Sequence, residues 1–240
     1  AGTGTTTGID FSLDPGAASL SGTVTESGSG TPIVDDGNFT SLAHLISADG
    51  ATFLSIELTA GGNFSFTGLR PGSYYLSASA PGYIGKIVDA TVPAVTVRDC
   101  FNAPSCDPLD TGAPIALAAG AVVSGLNLAL DRGATFSGNV RAAVGAAPIA
   151  NANVWVNNDF YGASAVTDAA GNFAVRGLPP GVYHAYADAP GQNFVQTWLG
   201  DVPCRGFSCV DVGTPFTLAS NATLSGQQFN MPVGGTIAGV

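Results

Sequence analysis

The chain has 240 residues, 17 acidic against seven basic, and a formal charge of −10, and only 10% of it is charged, against about 25% in an ordinary soluble domain. A nucleic-acid backbone would repel such a chain, and no basic cluster offsets that, which argues against nucleic-acid binding. A surface built mostly from Ser, Thr, Asn, Ala and Gly is weakly hydrated and prone to lateral contact, which suits a packed assembly better than a diffusing enzyme.

The first element is a junction motif, GIDFSLDPGAASLSG, from Gly8 to Gly22. It returns as GLNLALDRGATFSG from Gly125 to Gly138, and again as GQQFNMPVGGTIAG from Gly226 to Gly239. Each copy reads as a closing strand, a short link and an opening strand. Two different bodies lie between the three copies. Within them, short alternating runs such as Asn63–Thr67, Ser73–Ala80, Asn153–Asn157 and Val182–Ala187 are separated by Asp-Gly, Gly-Gly and Pro-Gly turns. No helical period of useful length is present. The expectation is an all-β chain of two tandem Ig-like β-sandwiches with spare terminal strands. The divisions are residues 1–16 (a donor-type strand), 17–131, 132–232, and 233–240 (a C-terminal strand).

Taken along the first body, Asp35-Asp36-Gly37-Asn38 lacks the alternating acidic spacing of a calcium loop and reads as a polar turn. Asn38, Asn63 and Asn221 each satisfy the N-glycosylation pattern. Asn63 starts a strand, which leaves Asn38 and Asn221 as the candidate glycan sites. Lys86, the single lysine, follows Pro81-Gly82-Tyr83 and is expected in a loop, which argues against an internal Lys–Asn isopeptide bond. Cys100 and Cys106, then Cys204 and Cys209, fall at corresponding places in the two bodies. This spacing favours two local disulfides and an oxidising compartment over a zinc site. The aspartates near them, Asp107, Asp110, Asp201 and Asp211, read as solvated loop residues.

The uncharged run from Ala113 to Leu130 has the length of a membrane span. Pro114, Gly120 and Gly125 break it into two short strands, and its counterpart from Thr214 to Met231 is polar at matching places, so no membrane insertion is expected. The start at Ala1 suits a secreted, processed product. In the second body, Trp155 lies between Val154 and Val156 and points opposite to both. With Phe160, Tyr161 and Trp198 it makes a candidate aromatic platform, read first as an interface and second as a carbohydrate face. His44 and His184 are the only histidines and read as strand residues, with no nucleophile motif beside either, so no catalytic residue and no cofactor is assigned.

The run TDAAGNFAVRGLPPGVYHAYADAPG from Thr167 to Gly191 resembles the signature of carboxypeptidase regulatory-like domains. AGGNFSFTGLRPGSYYLSASAPGY, from Ala60 to Tyr83, is similar but looser. The opening Ser-Gly-x-Val of each unit and the run from Pro148 to Val154 match the family's first two strands. The resemblance implies transthyretin-like sandwiches, found in tandem in bacterial secreted and surface proteins as accessory rather than catalytic modules.

In the tandem reading the strands at 8–13 and 234–240 are left over. Each is apolar and alternating, and such an unpaired edge is unfavourable in water. Pairing with a neighbour's sheet would satisfy it and would generate a filament. The expected interface residues are Ile9, Phe11 and Leu13 at one end and Val233, Ile237 and Val240 at the other. The function expected is a non-enzymatic structural subunit of an extracellular or cell-surface fibre whose partners are copies of itself. The alternative is an adhesive or carbohydrate-binding fragment of a longer surface protein, with glycans as partners.

Overall fold

The computed structural model describes residues 17–34, 40–89, 96–99, 113–159, 161–204, 209 and 213–235. Among the described residues, two sandwiches of nine strands each follow one another and no helix occurs. In the first, β1 (Ala18–Glu26), β4 (Asn63–Leu69) and β9 (Val122–Leu130) form a small sheet in the order β4-β1-β9. The larger sheet takes β2 (Leu42–Ser47), β3 (Phe53–Glu57), β5 (Gly72–Ser79), β6 (Lys86–Asp89) and β7 (Thr96–Asp99) in the order β3-β2-β5-β6-β7. β8 (Ile115–Leu117) pairs with β5.

The second sandwich repeats this order strand for strand. β13 (Asn172–Leu178), β10 (Ala134–Ala142) and β18 (Thr223–Met231) make its small sheet. Its larger sheet runs β12 (Gly162–Val166), β11 (Asn153–Asn157), β14 (Gly181–Asp188), β15 (Thr197–Trp198), β16 (Val202–Pro203), with β17 (Phe216–Leu218) on β14.

Alternation decides which residues meet between the sheets. Leu20 and Val24 from β1, Phe64 and Phe66 from β4, Leu45 from β2, Leu76 from β5 and Leu128 from β9 are buried in one core. Phe136, Val140, Phe173, Val175, Val154, Tyr183, Ala185 and Phe229 fill the second in the same pattern. The signature glycines make this geometry possible. Gly68 (φ 73°) and Gly177 (φ 77°) take the left-handed backbone where the antiparallel register slips, between Ala18 and Leu20 in one body and between Ala134 and Phe136 in the other. Just after each Gly-Leu bend a buried tyrosine locks the return strand. Tyr74 donates to the Arg70 carbonyl at 3.0 Å, and Tyr183 to the Pro179 carbonyl at 2.9 Å. Burial pushes the Tyr183 phenol up to about 12, so it keeps its proton.

The first and last strands of each body pair in parallel. β1 pairs with β9 from Ser19↔Val122 to Glu26↔Leu130, and β10 with β18 from Thr135↔Thr223 to Ala142↔Met231. The chain therefore enters a sandwich at one end and leaves it at the other, roughly 30 Å away for a nine-residue strand. Gly22 and Gly138 sit where the parallel ladder skips a residue. A Cβ on Gly22 would stand 1.8 Å from the Leu126 carbonyl oxygen, and one on Gly138 would stand 1.7 Å from that of Gln227. That close approach is the physical reason for the Ser-Gly-x-Val opening of both bodies.

Candidate interaction surfaces

Only Asp131, Arg132 and Gly133 separate β9 from β10, so the two bodies meet at a short junction. Backbone bonds fix it: the Ile84 N–H donates to the Asp131 carbonyl at 2.9 Å, and the Gly133 N–H to the Gly82 carbonyl at 3.0 Å. Charges reinforce it. The Arg132 guanidinium grips the Glu26 carboxylate through Nε and through Nη2 (3.1 Å to Oε2), and lies 5.3 Å from the centroid of the Tyr83 ring. Lys86 Nζ sits 2.7 Å from Asp131 Oδ2. These cations hold Glu26 and Asp131 below the usual carboxylate range. A cleft of about 400 Å³ separates Glu26, Asp131 and Arg132 from Pro180, Ser220 and Asn221 of the second body. Gly133 meets Gly177 so closely that a Cβ on Gly133 would stand 2.3 Å from the Gly177 carbonyl carbon. Lys86 thus corrects the sequence expectation of a loop. It opens β6 and is buried, because an acid from the link reaches it.

The far end of the second body carries the same backbone pattern. The Val195 N–H donates to the Pro232 carbonyl at 2.8 Å, the Gly234 N–H to the Asn193 carbonyl at 2.9 Å, and Phe194 bridges Val233 as Tyr83 bridges Arg132. Its side chains differ. Pro232 and Val233 stand for Asp131 and Arg132, and Val233 is 62% exposed. Of the expected interface residues only Val233 is described; Ile9, Phe11, Leu13, Ile237 and Val240 lie outside the described residues.

Across the outer face of the second body's larger sheet, the register sets Trp155 beside Tyr186, and Tyr186 beside Trp198. Trp155 and Tyr186 lie nearly parallel (19°) with centroids 6.4 Å apart, and the Tyr186 and Trp198 rings are 4.9 Å apart. Trp155 is 40% exposed, whereas Trp198 is buried. The aromatic group expected from sequence is therefore corrected. Tyr161 turns to the core and its hydroxyl approaches the Gly177 carbonyl at 3.4 Å, Tyr186 takes its place in the row, and Phe160 lies outside the described residues. Four side-chain atoms around the row are buried without a hydrogen-bond partner: Asn157 Oδ1, His184 Nδ1, Asp188 Oδ1 and Trp198 Nε1. Sequence reasoning missed Tyr186, Asn157 and Asp188; alternation along β14 and β11 gives the face each one takes, but only the register across strands brings them to Trp155 and Trp198.

On the matching face of the first body, His44 stands between two serines, with Ser55 Oγ 3.0 Å from Nδ1 and Ser79 Oγ 3.2 Å from Nε2. Burial holds His44 below its ordinary value, and the group carries no acid partner of the kind a catalytic triad uses. Cys204 and Cys209 form a disulfide; Cys100 and Cys106 lie outside the described residues. Asp201 accepts from the Asn230 N–H and side-chain amide at 2.9 and 2.8 Å and so covers part of the β18 edge. Asp107, Asp110 and Asp211 lie outside the described residues, as do Asp35, Asp36 and Asn38. Asn221 is exposed on a turn at φ 54°, where the first body has Gly120 at φ 69°. Asn63 donates its amide to the Ala60 carbonyl at 2.8 Å, a structural task. Among the described residues, no group of three or more His, Cys, Asp or Glu is placed to hold a metal ion, and no helix is long and apolar enough to cross a membrane.

No curated protein matches the chain. Solved structures with a related arrangement include a streptococcal ancillary pilin (12% identity, TM-score 0.38, 90% of this chain and 63% of that one). Another is the shaft pilin SpaA from Lactobacillus rhamnosus GG (11% identity, TM-score 0.36, 93% of this chain and 99% of that one). A third is the Bacillus anthracis TIE protein (13% identity, TM-score 0.33), of which this chain spans 34%. Likenesses at these scores carry no argument about function. Residues 135–202 match the family model of the carboxypeptidase regulatory-like domain. The second sandwich is thus similar to that family across its signature, and the first repeats the second's strand order.

Proposed function

We propose that the protein is a non-enzymatic structural subunit of an extracellular, cell-surface fibre that polymerises head-to-tail through its ends. One observation carries this reading: first and last strands pair in parallel in both bodies, so each sandwich passes the chain from one end to the other. Bodies joined this way line up along one axis, and a head-to-tail contact between unlike ends continues without closing. The divisions in this reading are 1–16, 17–131, 132–232 and 233–240, with residues 8–13 and 234–240 adding as strands to a neighbour's sheet. Among the described residues β9 pairs only with β1, and β18 only with β10 with Asp201 on its Asn230, so the edge left for such a strand is β9 and the part of β18 that Asp201 does not cover. A Cys100–Cys106 disulfide matching Cys204–Cys209, and glycans on Asn38 and Asn221, belong to the same secreted reading. The test is light scattering of the purified chain beside a variant lacking residues 1–16. The intact chain assembles and the truncated one stays monomeric; equal behaviour of the two overturns strand addition at that end.

The exposed Trp155 beside Tyr186 favours a second reading, an adhesive or carbohydrate-binding module. Flat parallel rings offer a face for the C–H side of a sugar, and half-buried Asn157, His184 and Asp188 flank them. Depletion of the protein by an insoluble neutral polysaccharide, lost in Trp155→Ala, would support it.

A further inference from the structure

Each half of the intrachain junction has a counterpart elsewhere among the described residues. At the junction, the Gly177-Leu178-Pro179 bend of the second body is buried, with Gly177 facing the Tyr83 carbonyl oxygen. The equivalent bend of the first body, Gly68-Leu69-Arg70, has no second body against it among the described residues. Gly68 and Arg70 are exposed, and a Cβ built on Gly68 meets nothing within 4 Å. At the opposite end of the molecule, Phe194, Val195, Pro232 and Val233 hold the backbone arrangement that Tyr83, Ile84, Asp131 and Arg132 hold at the junction. One end presents an uncovered bend and the other an uncovered seat.

The side chains of the seat have changed in a direction that fits an intermolecular role. Glu26, Lys86, Asp131 and Arg132 make the internal junction a charged clamp. Their counterparts at the far end are Ala142, Thr197, Pro232 and Val233, none of them charged. Val144, in the adjoining loop, is 86% exposed. Inside the chain a three-residue link holds the bodies at high effective concentration, so a few half-exposed ion pairs suffice. Between separate molecules no link exists, and removal of apolar surface from water has to supply the affinity.

Resting on the fibre reading above, we propose that Phe194, Val195, Pro232, Val233 and Val144 form a seat for the Gly68–Pro71 bend of a second copy. The two molecules meet as the two bodies of one molecule do. The contact is heterologous: the seat of one copy takes the bend of the next, which leaves a free seat and a free bend at the two ends of every oligomer.

The experiment uses the full chain and two variants. Val233→Asp places a charge in the seat, at a side chain exposed in the single molecule, so folding is unaffected. Ala119→Trp adds bulk at the other end, on the turn equivalent to Ser220, which lines the junction cleft. Val182→Asp, exposed on the larger sheet away from both ends, is the control. Unchanged melting of each variant verifies the fold. Val233→Asp and Ala119→Trp each raise the concentration needed for assembly by roughly tenfold or more, since an unpaired charge or a bulky side chain must enter the contact; the control does not. A mixture of the two gives dimers and nothing larger, because one good seat and one good bend remain. Assembly of Val233→Asp at the wild-type concentration overturns the seat while leaving the fibre reading standing. A wild-type chain that stays monomeric at every concentration overturns both.

Discussion

Gly138 offers the sharpest test of how each sandwich is closed. Replacing it with alanine builds a Cβ 1.7 Å from the Gln227 carbonyl oxygen, 2.5 Å from its carbonyl carbon and 2.8 Å from its nitrogen. All three are backbone atoms, so no side chain can swing aside. β18 would have to recede until the closest separation doubled to 3.4 Å, where ordinary contact begins. Such a shift is a large part of the 4.7–4.9 Å strand spacing, and it breaks the central rungs of the ladder between Phe136↔Leu224 and Gly138↔Gln227. It also draws Phe229 and Met231, both fully buried, out of the core. Overpacking of well-packed sites costs about 1–3 kcal/mol, and an immovable backbone neighbour puts this site at the top of that range, about 3 kcal/mol. For a body of about a hundred residues that lowers the melting temperature by roughly 10–20 °C. Gly28→Ala is the control: its surroundings are open, so only the backbone strain of its own φ of 85°, about 1 kcal/mol, applies. Differential scanning calorimetry should show the transition of the second body falling further than that of the first, to which the junction couples it, and Gly22→Ala should do the converse. A Gly138→Ala chain that melts within the shift of the control would refute the close-approach argument.

Tyr183→Phe removes the buried bond to the Pro179 carbonyl and should cost about 1–2 kcal/mol, as should Tyr74→Phe in the first body; chemical denaturation reads both. The junction clamp is pH-dependent. Glu26 and Asp131 have folded values depressed below 4.5 and 3.8, so their contribution is present at neutral pH and is lost as pH falls through the folded values. At acid pH, below both folded values, the two bodies should melt as separate transitions in calorimetry, and Glu26→Gln should loosen the junction at neutral pH; identical coupling at neutral and acid pH would speak against the clamp. Trp155→Ala should leave melting nearly unchanged, because the indole is exposed, while abolishing any retention on neutral polysaccharide.

The repeat and the alternation made much of this architecture legible before any coordinates. Phe64, Phe66, Phe173 and Val175 point inward as period two requires, and the Gly-Leu bends fall at the register slips. Two things were hidden for one physical reason: they depend on which strands become neighbours. Lys86 looked like a loop residue because its partner, Asp131, lies in the link and is brought to it only by the junction. Tyr186 was overlooked because nothing local to β14 says that Trp155 and Trp198 flank it; the register across three strands does. Tyr161, adjacent in sequence to the aromatic group, turns the other way because the β11–β12 loop packs it on the core.

On the proposed function, separate copies of this chain join head-to-tail. Electron microscopy of the purified protein at neutral pH addresses it most directly. The account predicts unbranched filaments with a repeating pair of lobes, lengthening with concentration. Dispersed two-lobed particles that sediment as monomers at every concentration tested would contradict it.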